Sequence, residues 1–309
     1  MTDPTQAALD RLAHGFLNPL RSPILHTPAE ENLAYEEVSF ASADGVPLEG
    51  WFIPADSDRL IIANHPMGFN RAGLPTHLEP WLSIWGPTGN DFEVNFVPDY
   101  RILHEAGYNV LAYDLRNMGL SGAANGGAVT SGLFEGRDVL GSIRYAAERA
   151  DTAAMKVGLF SRCLGANSTL AAMRQDPSAF EDIRCVVACQ PVSDRVIMAR
   201  MLDILGVGAD RIEELDRRVK LGTSLGFDER PDATWAGYVR RPTYLYGVHD
   251  DSLTVPQDLE QMFNAMDTKD KELAWVYGTT ARWDGYLEFQ RRPEPMLEWF
   301  DRFLGPDGR

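Results

Sequence analysis

The chain has 309 residues, 44% of them hydrophobic and 24% charged, and its formal net charge is -16. That length suits one enzyme-sized body with an insertion. So acidic a balance excludes the clustered Lys and Arg that phosphate backbones require, and no nucleic-acid partner is expected. No run of eighteen apolar residues occurs, and the start Met1-Thr-Asp-Pro shows no charged segment ahead of an apolar one. Neither a membrane span nor a secretory leader is therefore expected, and the expected location is cytoplasmic. The expected partner is a small-molecule substrate, and a homodimer is compatible with the chain.

In chain order, residues 1 to 34 read as an N-terminal extension, an extra helix followed by a Pro-containing linker. Glu37 to Ala41 and Leu48 to Ile53, divided by the turn Ala-Asp-Gly-Val-Pro, predict an antiparallel pair. A buried strand follows at Leu60 to Asn64, then a helix at Pro98 to Ala106 and a strand at Asn109 to Tyr113. A helix from about Leu133 to Arg149 precedes a strand at Lys156 to Phe160, whose following helix Pro177 stops. Further strands are expected at Cys185 to Cys189, Thr243 to Tyr246 and Leu273 to Tyr277, with helices near Gln257 to Met266 and Pro293 to Leu304. Alternation of this kind predicts an α/β fold with a mostly parallel sheet covered on both faces and an antiparallel start. The charge-rich, helical stretch 191 to 237 interrupts it and reads as a lid. The expected organisation is thus an extension (1-34), a core (35-190 and 238-309) and a lid insertion (191-237).

Three cysteines fit no disulfide framework. Cys185 and Cys189 lie in an apolar strand and read as core, whereas Cys163 stands in Phe160-Ser161-Arg162-Cys163-Leu164-Gly165-Ala-Asn167, where a strand meets an Ala-rich helix. A side chain that must project from so sharp a turn needs small residues two before and two after it, and Ser161 and Gly165 fill those places. This is the strand, turn, helix context of a nucleophile elbow. A helix N-terminus also favours a thiolate through its unpaired N-H groups and dipole.

Together with other waypoints this resembles the α/β-hydrolase superfamily from about Glu37 to Leu304, its elbow being most similar to dienelactone-hydrolase-type members that use cysteine. Asn64-His65-Pro66-Met67-Gly68 resembles the oxyanion loop, and Tyr113-Asp114-Leu-Arg116-Asn117-Met-Gly119-Leu-Ser121 resembles a structural turn of the family. Gly247-Val-His249-Asp250-Asp251 resembles the segment that carries the acid. The resemblance implies Cys163 as nucleophile, Asp250 as acid, and an oxyanion hole from the N-H groups of Leu164 and Met67, since Pro66 has none to give.

The departure lies after the last strand. Where the resemblance places histidine, the segment is Tyr277-Gly-Thr-Thr-Ala281-Arg282-Trp283, and Ala281 holds the histidine's place. Natural loss, deliberate replacement and relocation of the base to another loop all account for this sequence. Cysteine is the nucleophile that best survives such a loss, because free thiols are a few per cent ionised near neutrality. Substitute bases to consider are His249 and His65. Restoring the imidazole by Ala281→His is expected to raise ester hydrolysis at least about tenfold. His65, Phe69, Arg162 and Trp283 are expected to contact substrate, with Asn70 and Arg71 available to orient a polar group. No spacing of His, Cys or carboxylates suits a metal, and no phosphate-loop pattern is met, so neither metal nor cofactor is expected. The expected activity is hydrolysis or acyl transfer on a small ester, lactone or thioester. The alternatives are a non-hydrolytic relative (a ligand-binding protein, a cyclase or a lyase) and a catalytic-histidine variant of an active hydrolase.

Overall fold

A computed structural model describes residues 3 to 305. In chain order the elements are α1 (Pro4–Gly15), β1 (Glu36–Ala41), β2 (Pro47–Ile53), β3 (Arg59–Asn64), the two-residue β4 (Gly73–Leu74), α2 (Trp81–Trp85), β5 (Val94–Asn95) and α3 (Val97–Glu105). They continue with β6 (Asn109–Tyr113), α4 (Gly136–Glu148), β7 (Lys156–Arg162), α5 (Leu164–Gln175), β8 (Ile183–Cys189), α6 (Asp194–Ile204) and α7 (Ile212–Thr223). The last are β9 (Thr243–Val248), α8 (Pro256–Ala265), β10 (Lys271–Val276), α9 (Arg282–Arg291) and α10 (Glu294–Leu304).

Eight strands form one sheet in the order β1-β2-β6-β3-β7-β8-β9-β10. β2 runs antiparallel to both β1 and β6, and all other pairings are parallel. Side chains alternate across a pleated strand, so a strand covered on both faces must be apolar at every position. β3 shows this directly: Ile61 belongs to the core on one face, with residues of α3, α9 and α10, while Ile62 belongs to the core on the other, with residues of α4, α5 and α8. Burying whole strands in this way is worth about 1.5–3 kcal/mol per large apolar side chain. Among the described residues no helix is long and apolar enough to cross a membrane.

A third, smaller core sits above the sheet. Leu9, Ala13 and Phe16 of the N-terminal segment pack on Leu202, Leu215, Val219 and Phe227. The first helix, whose role is unreadable from its own sequence, thus shares a core with the helical segment between β8 and β9.

Candidate active site

β7 passes into α5 through Cys163, at φ 47° and ψ -109°. A non-glycine residue held there persists only where its surroundings enforce it. The Cys163 N-H donates to the Cys189 carbonyl at 2.7 Å, and the Asn167 N-H donates to the Cys163 carbonyl at 2.8 Å. The small neighbours are also explained. A Cβ on Gly165 would lie 2.6 Å from the Asn64 carbonyl, and the Ser161 hydroxyl fits within 2.9 Å of both Asn64 Nδ2 and Thr169 Oγ1.

Cys163 borders a mostly apolar cavity of about 340 Å³, walled by Met67 and Phe69 of the loop after β3, Trp85 of α2, Met198 of α6, Phe16 and Trp283. The Trp283 ring packs edge-on against Phe69, at 5.3 Å between centroids. The backbone N-H groups of Leu164 and Met67 have no hydrogen-bond partner among the described residues, and both residues line the cavity beside Cys163. One free donor at the start of α5 and another in the loop after β3, on the same cavity as the turn residue, make an arrangement suited to a developing oxyanion.

Among the described residues no histidine lines the cavity. The Arg282 guanidinium lies wholly buried at the cavity wall, where Nη1 donates to Asp251 Oδ2 at 2.6 Å, Nε donates to the Tyr286 hydroxyl oxygen at 2.9 Å, and Nη2 donates to the Gln190 carbonyl. Burial opposes its charge, but Tyr286 and Asp251 outweigh burial and hold the guanidinium protonated, its pKa well above the ordinary value. It cannot take up a proton and therefore cannot serve as a base. Burial also holds the Tyr286 phenol well above its ordinary pKa, and Tyr286 shares the cavity wall with Cys163. Because Arg282 fills an acceptor site on its hydroxyl oxygen, the phenol's own proton is directed elsewhere.

Comparison with solved structures places this arrangement on a known scaffold. An esterase of Pyrococcus furiosus is 21% identical, with 94% of this chain and 99% of that chain covered at a TM-score of 0.68. An α/β-hydrolase of Penicillium sp. sh18 is 16% identical, covering 88% and 99% at 0.58, and an esterase of Exiguobacterium antarcticum is 12% identical, covering 86% and 99% at 0.54. The chain has the α/β-hydrolase fold. No family model and no curated protein matches the sequence.

Several expected site residues of this α/β-hydrolase fold stand elsewhere than the sequence reading put them. Asp250 is exposed and pairs with His249 Nδ1 at 2.8 Å. The buried carboxylate aimed at the site is its neighbour Asp251, which also accepts from the Leu253 N-H at 2.9 Å. His249 packs on the rings of Trp275 and Tyr277 and is not part of the cavity wall, so it is not placed to act as the base. Ala281 caps α9 and likewise misses the wall, which its successor Arg282 forms. Arg162 turns away beneath the elbow, buried between the rings of Phe96 and Phe160 and paired with Asp99. Asn70 and Arg71 are also structural, holding Ser22 and Asp114 respectively. Met67, Phe69, Leu164 and Trp283 do line the cavity. Among the described residues no cluster of three or more His, Cys, Asp or Glu side chains could hold a metal ion.

His65 is a loop-fixing residue, not a substrate contact. Its Nε2 accepts the Leu115 N-H at 2.9 Å and its Nδ1 donates to the Pro66 carbonyl at 2.7 Å, which requires the neutral ring. Burial pushes the imidazole pKa below its ordinary value, against the opposing charge of Asp114. The unfolded chain therefore takes up a proton that the folded chain refuses. Stability from this group is present above about pH 6.5 and is lost as pH falls below it. Thermal unfolding is expected to show that decline, and His65→Gln, less stable at neutral pH, should show a shallower one; an equal slope in the variant would remove His65 as its source.

The Arg282 geometry also reverses one expectation. An imidazole introduced by Ala281→His would find Asp251 already engaged by a guanidinium, so hydrolysis of activated esters is expected to show no measurable gain, checked by initial rates against the parent.

Proposed function

We propose that the chain is an acyl-transfer enzyme of hydrolase type that acts through Cys163 on a small ester, lactone or thioester with an apolar acyl group. The observation that carries this reading is the enforced turn at Cys163, which lines one apolar cavity together with Leu164 and Met67, whose N-H groups are unpaired among the described residues. The sulfur attacks the carbonyl carbon, and the carbonyl electron pair moves onto an oxygen held by Leu164 and Met67. The attacking species is the thiolate fraction that a thiol supplies unaided near neutrality, its proton having gone to solvent, and the leaving group takes up a proton from solvent as it departs. The leaving group departs with the electrons of its bond, and a thioester on Cys163 remains. Its transfer to water needs a proton acceptor, which neither Arg282 nor Tyr286 can be. Transfer to a thiol or amine, better nucleophiles than water, is accordingly favoured. The esterase names of the Pyrococcus and Exiguobacterium structures agree with acyl chemistry on such a scaffold.

One observation favours a second reading. With Arg282 locked onto Asp251, the site has the donors of an oxyanion hole without the base of a hydrolase, as would suit a non-hydrolytic cyclase, lyase or binding protein. The two separate on intact mass after exposure to activated esters and thioesters. An acyl adduct on Cys163 is the expected result. Tight binding of the same compounds without any adduct would overturn the covalent reading and leave the second.

A further inference from the structure

One wall of the cavity breaks its apolar character in a specific way. Asp194, the first residue of α6, lines the cavity and is only 7% exposed. Its Oδ2 accepts the Ser131 hydroxyl at 2.6 Å and lies 3.5 Å from Arg230 Nη1. Oδ1 has no hydrogen-bond partner among the described residues. The support behind it is built: Arg230 is wholly buried over the Phe16 ring and donates to the Val129 carbonyl at 2.9 Å and to Thr223 Oγ1 at 3.0 Å. Burial raises the Asp194 pKa, partly countered by Arg230 and Ser131. An acceptor oxygen left open in such surroundings forgoes a hydrogen bond that a ligand could restore. The nearby amide of Asn167 offers no competing contact, since it is spent on both backbone groups of Val192.

We propose that Asp194 Oδ1 is a specificity site for a hydrogen-bond donor, so that the acyl group taken by this cavity is apolar with one hydroxyl or ammonium group along its length. This rests on the acyl-transfer reading for the word acyl, but the donor preference belongs to the cavity itself. Ser131 and Arg230 hold Oδ2, fixing which oxygen faces the ligand. The variant Asp194→Asn keeps the shape and, with its amide oxygen toward Ser131 and Arg230, turns an N-H donor into the cavity.

The test uses three matched series of acyl thioesters, plain, hydroxyl-bearing and amino-bearing, with the polar group stepped along the chain. Acyl-adduct formation is followed by intact mass, and calorimetry follows binding of the corresponding unreactive amides. At one position, the parent is expected to prefer a donor-bearing chain over the plain one by about tenfold or more, the range for a bond to a charged acceptor. In Asp194→Asn the amino preference should vanish. A hydroxyl, which can accept as well as donate, should keep a preference but a clearly reduced one, its partner now being a neutral amide and not a carboxylate, and this tells which donor the site takes. No donor preference at any position, or one unchanged in Asp194→Asn, overturns the proposal. Donor-selective amide binding without any adduct would sustain the donor site while refuting acyl transfer. If Asp194→Asn does not fold, Ser131→Ala is the second variant: it frees Oδ2 as well, and should broaden the position at which a donor is accepted.

Discussion

Arg282→Met is expected to lower folding stability by about 3–5 kcal/mol, the range for removing one member of a buried ion pair. Arg282 and Asp251 are each 1% exposed in their side chains and meet at 2.6 Å. With the guanidinium gone, the Asp251 carboxylate keeps only the Leu253 N-H and loses its counter-charge while buried. Two further acceptors, the Gln190 carbonyl and the Tyr286 hydroxyl, lose a donor at the same moment. The double variant Asp251→Leu with Arg282→Met should recover much of that loss, because a pair removed together leaves no uncompensated charge. Denaturant unfolding of the two single variants and the double gives the coupling. A double variant as unstable as the sum of the singles would mean that the pair is not the source. Near-UV circular dichroism should change even in the folded Arg282→Met variant, since Tyr286 loses the donor that orients its ring.

This pair also shows where the sequence could be read and where it could not. The elbow was legible because a sharp turn restricts size at fixed spacing: Asn64 leaves no room for a Cβ at Gly165, and Ser161 is held between Asn64 and Thr169. The strands of the central sheet were legible because strands buried on both faces must be apolar throughout. Asp250 and Asp251 differ by one step in the chain, and counting from Gly247 does not reveal which of two adjacent carboxylates turns inward. Likewise, a motif that expects histidine directs attention to Ala281, while the side chain that reaches the cavity wall sits one residue on. The helix carrying it, α9, went unread for a related reason. Its buried face holds Arg282, Gly285, Tyr286 and Phe289, so a cation and a glycine interrupt the apolar stripe. Gly285 is required there because a Cβ would lie 2.6 Å from the Gln190 side chain. The open oxygen of Asp194 had no signal in the sequence, since it depends on α6 meeting residues some sixty positions earlier.

Cys163→Ala is expected to reduce acyl transfer by at least about a hundredfold, a deliberate discount from the millionfold loss that follows removal of a nucleophile backed by a complete triad. Folding should change little, because alanine at φ 47° retains the backbone strain and the cysteine side chain is only partly buried. The more telling variant is Cys163→Ser. A serine hydroxyl ionises far above neutrality and reacts only when a base removes its proton, whereas free thiols in general supply some thiolate unaided. In a hydrolase with a working imidazole the serine variant would keep substantial activity. Here the position beside Asp251 is held by Arg282, a group that cannot accept a proton, and Tyr286, which shares the cavity wall with Cys163, is a phenol that burial keeps protonated. Serine is therefore expected to be as inactive as alanine, measured as acyl-adduct formation from activated thioesters. A serine variant that acylates at more than a small fraction of the cysteine rate would reveal a base that this arrangement of Arg282, Asp251 and Tyr286 does not contain.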